Sequence, residues 1–258
     1  MEARHLTDEG GELVIRRVGL PYRDARVKGP VDVIPVRRFW LGRPPSEAMP
    51  DMAALGNVLL VTLSGQVSVL GRSGVEVTTQ PGDVLIIDVA GPECLRFQWE
   101  PETWILLAIT EPWEPTDHVE TVVRLEPDRR GRPLMTWIYD DGGLSRSQPL
   151  GPPFAVTTVP PVDEWVRSNG AFVTRRDYGT EAFDSGRWHN GPRPQIGVTL
   201  NGRAQNETGD GTVTEPWTGD LAFLDDVEGA GHVTRGLGDR WMLFVTVSDG
   251  SLQQVREA

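Results

Sequence analysis

Short apolar runs separated by glycine-rich turns dominate the chain. Strand-length segments at 58–63, 66–70, 83–88, 104–109, 196–200, 220–224 and 241–247 are rich in Val, Ile and Leu. Few stretches carry a 3.6-residue apolar period with helix caps, so the pattern predicts an all-β chain. Further strands are predicted at 121–125, 134–139 and 154–159, between Pro-rich breaks such as Gly151-Pro152-Pro153 and Pro160-Pro161.

The runs repeat. Val61-Thr62-Leu63-x-Gly65 matches Val198-Thr199-Leu200-x-Gly202, an offset of 137 residues. At the same offset Gly74 matches Gly211, Gly82-Asp83 matches Gly219-Asp220, Asp88 matches Asp225, and Trp104-x-Leu106 matches Trp241-x-Leu243. Arg38 and Gly42 extend the match upstream to Arg175 and Gly179. A period this long means two copies of one β unit rather than a many-bladed array. The expected organisation is an N-terminal unit over residues 1–112, a strand-containing segment over 113–168 and a C-terminal unit over 169–258. At each Gly-Asp, the glycine is expected to take positive φ and the carboxylate to bind local backbone N–H groups.

Composition narrows the function classes. Of 258 residues, 29 are Gly and 21 Pro, in keeping with a turn-rich β protein. The net charge of −12 argues against a nucleic-acid partner and against an anionic membrane surface. The single cysteine, Cys94, excludes an internal disulfide and any cysteine-cluster metal site, and reads as a buried inert thiol. Lys28 is the only lysine, hence the only Schiff-base candidate. No apolar leader or membrane-length run is visible, so a cytoplasmic protein is expected. Four histidines, His5, His118, His189 and His232, leave room for one small histidine site.

The succession Thr-Leu-x-Gly, Gly-Asp before an apolar strand, then Gly-x-Gly-His resembles the cupin pattern. The second copy carries it best, through Trp188-His189-Asn190-Gly191-Pro192-Arg193-Pro194-Gln195, Gly219-Asp220 and Gly229-Ala230-Gly231-His232. Its Trp-His-x-x-Pro-Arg-x-Gln run is similar to that of a group of little-characterised cupins, and with the repeat the whole chain resembles a bicupin. The resemblance implies two small β-barrels of jelly-roll type, each with a site in its mouth. Cupin metal sites usually take two histidines and a glutamate from the first motif and one histidine from the second. Here His189 and His232 fit the first and last positions, while Gly191 and Gln195 stand at the other two. The implied cofactor is one divalent transition metal (Fe, Mn, Ni or Zn) on His189, Gln195 and His232, or none.

The first copy serves as an internal control. At the 137-residue offset, His189, Gln195 and His232 correspond to Met52, Val58 and Leu95, all apolar. The site is therefore expected in the C-terminal unit only, with His189, His232 and Gln195 carrying the chemistry. Without a metal, a histidine would act as general acid or base, since imidazole titrates near neutral pH. Tyr178, Trp188, Trp217 and Phe223 are expected to line a cavity for an aromatic or polyketide-like metabolite, with Phe183 in the same copy. Arg235 is expected to hold a carboxylate or enolate. The resemblance implies oxygenation, isomerisation, decarboxylation or cyclisation. The alternative is a non-catalytic ligand-binding or sensor protein, and either form is expected to pair as a homodimer.

Overall fold

The computed structural model describes residues 1–9, 12–24, 34–44, 55–71, 74–89, 95–116, 122, 131–178 and 186–256. Cys94, Met52, Gly179, Phe183 and, apart from Val122, the strand expected at 121–125 lie outside the described residues.

Strands account for nearly all of the regular structure. The first half contains β1 (Ala3–Glu9), β2 (Glu12–Arg17), β3 (Tyr22–Asp24), β4 (Val36–Gly42) and β5 (Val58–Ser64). It continues with β6 (Val67–Gly71), β7 (Glu76–Thr79), β8 (Val84–Asp88), β9 (Leu95–Trp99) and β10 (Trp104–Thr110). The second half contains β11 (Met135–Asp141), β12 (Leu144–Pro149), β13 (Val166–Asp177) and β14 (Gln195–Glu207). It ends with β15 (Val213–Thr214), β16 (Leu221–Asp225), β17 (Val233–Val247) and a short helix, α1 (Asp249–Arg256). Among the described residues no helix is long and apolar enough to cross a membrane. Residues 154–159 do not form the expected strand. The Pro-Pro pairs on either side leave only an isolated bridge between Val156 and Gly42.

The main sheet reads as a palindrome. Its order is β12-β11-β16-β14-β17-β13-β4-β10-β5-β8-β1-β2, so each strand of one half mirrors its counterpart across a β13–β4 seam. Val61 opposes Val84 and Leu106, and Val198, 137 positions later, opposes Leu221 and Leu243. Strands β11 and β12, from the segment expected between the units, stand to β16 as β1 and β2 stand to β8, with the first pairing parallel in both cases.

The repeat is not gapless. Leu106 opposes Leu41, whereas Leu243 opposes Val173, so the offset upstream of β5 and β14 falls to 132. The structural equivalent of Arg38 is therefore Gly170, and the Arg38–Arg175 match is coincidental. Five extra residues lie in the second-half connection from β13 to β14. His189 is on that connection.

Alternation along the strands sorts side chains into two cores. Leu59, Val61 and Leu63 of β5 join Ile196, Val198 and Leu200 of β14, with Phe39, Phe154, Phe223 and Trp241, in a core shared by the two halves. Phe154 stacks on Phe39 of the first half at 6.5 Å between ring centroids and packs on Phe223 of the second at 4.4 Å, and so links the halves. The intervening residues Val58 and Leu60, with Trp40, Leu85, Ile87, Ile105 and Leu107, fill the interior of the first half alone.

The Gly-Asp turns behave alike in both halves. Gly82 and Gly219 have φ of 83° and 92°. The Asp83 carboxylate accepts from the N–H groups of Gln80 (3.0 Å) and Glu2 (2.7 Å), while Asp220 accepts from those of Trp217 (2.8 Å) and Leu134 (2.6 Å). Each buried carboxylate thus closes its own turn and anchors the start of a distant first strand.

Candidate active site in the second half

The positions that fill the interior of the first half line a cavity in the second. Leu60 is replaced by Gly197 and Leu85 by Ala222, and these pairs occupy the same register. The leucines are fully buried in the first half. Their loss opens about 300 Å³ between β13, β14, β16 and β17. Phe172, Phe244, Met242, Leu224 and Pro216 supply apolar lining. His189, His232, Gln195, Tyr178 and Arg240 also reach it.

Backbone contacts bring the two histidines together. His189 donates its N–H to the His232 carbonyl and accepts from the His232 N–H, both at 2.9 Å. Two glycines allow this approach. A Cβ on Gly231 would lie 2.1 Å from the His189 carbonyl oxygen, and one on Gly186 would lie 2.3 Å from that of Thr234. The Asn190 amide then donates to the carbonyls of Asp226, Glu228 and Gly229, fixing the loop that carries Asp226. The imidazole centroids lie 4.6 Å apart.

Each imidazole has Nδ1 committed. His232 Nδ1 lies 2.6 Å from Asp226 Oδ2, with both residues buried. His189 Nδ1 lies 2.9 Å from the Arg187 carbonyl oxygen. Both partners only accept, so each neutral ring carries its proton on Nδ1 and leaves the Nε2 lone pair free. Gln195 Oε1 and Asp226 Oδ1 are buried and have no hydrogen-bond partner among the described residues.

His189 is solvent-exposed by area at the rim, yet packed protein on one side of its ring partly desolvates it. That desolvation holds its pKa below the ordinary 6.5, against the upward pull of the Arg187 carbonyl; the neighbouring His232 adds a smaller downward push. The unfolded chain therefore takes up this proton first as the pH falls. The contribution of neutral His189 to stability is full above pH 6.5 and is lost as the pH drops from there through the folded pKa. In an NMR titration the His189 Cε1–H resonance is expected to move with a midpoint below 6.5. A midpoint at or above 6.5 would contradict this reading.

Other residues expected in the site lie elsewhere, for identifiable reasons. Phe223 points into the shared core, because Ala222 and Leu224 take the cavity face on either side of it. Trp188 is 49% exposed and is not part of the lining. Trp217 stacks under the Arg203 guanidinium at 4.5 Å. Arg235 pairs with Glu207 at 2.8 Å on the strand surface, which occupies its guanidinium. Tyr178 does line the cavity, and Leu95 and Val58 hold the register positions of His232 and Gln195.

Among the described residues the donors available to a divalent metal are His189 Nε2, His232 Nε2 and Gln195 Oε1. Among the described residues no group of three or more His, Cys, Asp or Glu stands together to hold a metal. The carboxylate of Asp226 is engaged at His232 Nδ1, on the far side of the ring from the free lone pair. Two imidazoles and a neutral amide do not match the donor sets that hold these ions firmly. The described residues do not fit a tightly bound metal.

No family model matches the chain, and no curated protein matches it. Similar solved structures include a cupin 2 conserved barrel domain protein from Leptotrichia buccalis. It is 16% identical over 84% of this chain and 81% of that one, with a TM-score of 0.36. A DUF861-family protein of unknown function from Pseudomonas syringae is 17% identical over 74% of both chains, also at 0.36. A variant of Bacillus subtilis oxalate decarboxylase is 9% identical over 75% of this chain and 63% of that one, at 0.28. These neighbours are cupin-fold proteins. They bear on neither substrate nor metal, and the all-β architecture stands on the strand pairing itself.

Proposed function

We propose that the chain is a bicupin enzyme with one active site, in its C-terminal half, where histidines move protons on a small organic metabolite without a tightly held metal. The carrying observation is the contrast between the halves. The buried His232–Asp226 pair and the open cavity occur where the first half has Leu95, Val89 and packed leucines.

One free Nε2 takes a proton from carbon next to a carbonyl, and the electron pair moves onto the carbonyl oxygen as an enolate. The imidazolium formed in that step returns the proton to the far carbon of a double bond conjugated with the enolate, which restores the carbonyl and leaves the ring neutral. Atoms and charge balance within the substrate, so the class is isomerisation. Asp226 holds His232 in one tautomer and stabilises the imidazolium once it forms. Gln195 Oε1, lacking a protein partner, is free to accept from a substrate hydroxyl or enol.

Deuterium incorporation next to the carbonyl of aromatic ketones and 2-oxo acids in heavy water, followed by NMR, tests the reading. Exchange faster than in buffer alone is expected, and it should survive EDTA treatment. No acceleration with any probe, or activity lost to EDTA and restored by a divalent metal, would overturn the proposal.

A further inference from the structure

Arg240 is the residue of this cavity that proton transfer leaves unexplained. It projects from β17 on the same face as Met242 and Phe244, reaches the cavity and is 6% exposed. Burial draws its pKa below the ordinary arginine value, and the Tyr178 hydroxyl, bonded to it, pulls the other way. A guanidinium nonetheless stays protonated at any pH at which the chain is folded. Its Nε has no acceptor, and among the described residues no carboxylate pairs with it.

Its surroundings sharpen the contrast. The chain has 37 acidic residues against 25 basic ones, and neighbouring arginines have found partners. Arg175 binds Asp239 at 3.0 Å, Arg203 binds Glu215, and Arg235 binds Glu207. Asp239, next to Arg240 in sequence, is thus turned to Arg175. A buried cation without a counter-ion is costly unless an anion completes it. In the first half the same register position is Thr103, which binds the backbone of Gln66 and needs no ion.

We infer that the cavity takes an organic carboxylate whose charge pairs with Arg240, steadied by Tyr178, and whose flat apolar body lies against Phe172 and Phe244. Those rings are stacked at 5.1 Å and 22°, a wall suited to an aromatic or unsaturated body. The planar fork of the guanidinium matches a carboxylate in two parallel hydrogen bonds. This inference concerns the same cavity as the proposed reaction, but it requires only binding.

Calorimetric titration with 3-phenylpropionate and with its neutral amide separates the two claims, because neither probe enolises. The carboxylate is expected to bind at least tenfold tighter than the amide. Arg240→Met should abolish that preference while leaving amide binding within about twofold, and Arg240→Lys should retain part of it. Arg240→Met is also expected to raise the melting temperature of the free protein, since it removes a buried charge that no carboxylate among the described residues pairs. Equal affinity for acid and amide, absence of carboxylate binding by the wild-type chain, or an unchanged preference in folded Arg240→Met would overturn the inference. Binding of 3-phenylpropionate together with no accelerated exchange in any of the aromatic ketones or 2-oxo acids would sink the proposed reaction and leave this inference standing.

Discussion

Gly219→Ala is expected to destabilise the protein by roughly 3–5 kcal/mol, read as a fall in the urea midpoint at unchanged slope. Two effects add. The residue has φ of 92°, which costs a side-chain-bearing residue about 1–2 kcal/mol. A Cβ there would lie 2.0 Å from the carbonyl oxygen of Leu63, in the other half. That oxygen belongs to a buried strand end and cannot yield cheaply. A Cβ on Gly82 would make the reciprocal approach, 2.0 Å from the Leu200 carbonyl oxygen, so Gly82→Ala should behave alike. Gly211, with φ of 82° and nothing within 4 Å of its Cβ position, is the control. Gly211→Ala should cost only about 1–2 kcal/mol, from the backbone alone. Equal costs at Gly219 and Gly211 would show that the contact between the halves contributes nothing. Folded domains hold only about 5–15 kcal/mol, so loss of either turn removes a large part of the total.

The second large effect belongs to Asp226. Asp226→Asn is expected to lower turnover about 10²-fold or more once a substrate is in hand, and His232→Gln by about 10²–10⁴-fold. The amide can donate to Nδ1 and so favours the tautomer that blocks Nε2 as a base. Asp226→Ala should also cost about 1.5–3 kcal/mol of stability, because it leaves a buried imidazole N–H without an acceptor. Nitrogen chemical shifts of the His232 ring report the tautomer directly. If Asp226→Asn keeps the proton on Nδ1 and keeps full turnover, the pair is structural and the acid–base role is wrong.

The sequence made the fold legible because the repeat falls on residues that geometry constrains. Gly65, Gly82 and their second-half partners occupy conformations or close approaches that other residues cannot adopt, so they persist at fixed spacing. The five-residue extension before β14 was hidden, since the Arg38–Arg175 coincidence bridged it. His232 and Gln195 were legible as polar residues where the first copy has Leu95 and Val58, whereas Met52, the counterpart expected for His189, lies outside the described residues. The same comparison carries Asp226 against Val89, a buried residue of the first-half core, and Leu60 and Leu85 against Gly197 and Ala222. Those last two pairs mark the cavity itself, because a small residue facing a large one at an interior position leaves space. Phe223 and Trp217 could not be sorted by residue type. One step of strand register decides whether a ring meets the cavity or the shared core, and Phe223 falls on the wrong step. Arg240 gave little warning, since its counterpart Thr103 is also polar.

The β13–β4 seam has a consequence for how the chain is made. Strand β4 carries Phe39, Trp40 and Leu41, and it pairs with β13 through Val166 and Arg167. During synthesis the first half leaves the ribosome long before those residues exist, with one edge of β4 unpaired. The nascent first half therefore passes through a sticky interval in which a neighbouring nascent chain can take the place of β13. Slow elongation across residues 113–165 would lengthen that interval, and a holdase chaperone would shorten its effect on yield.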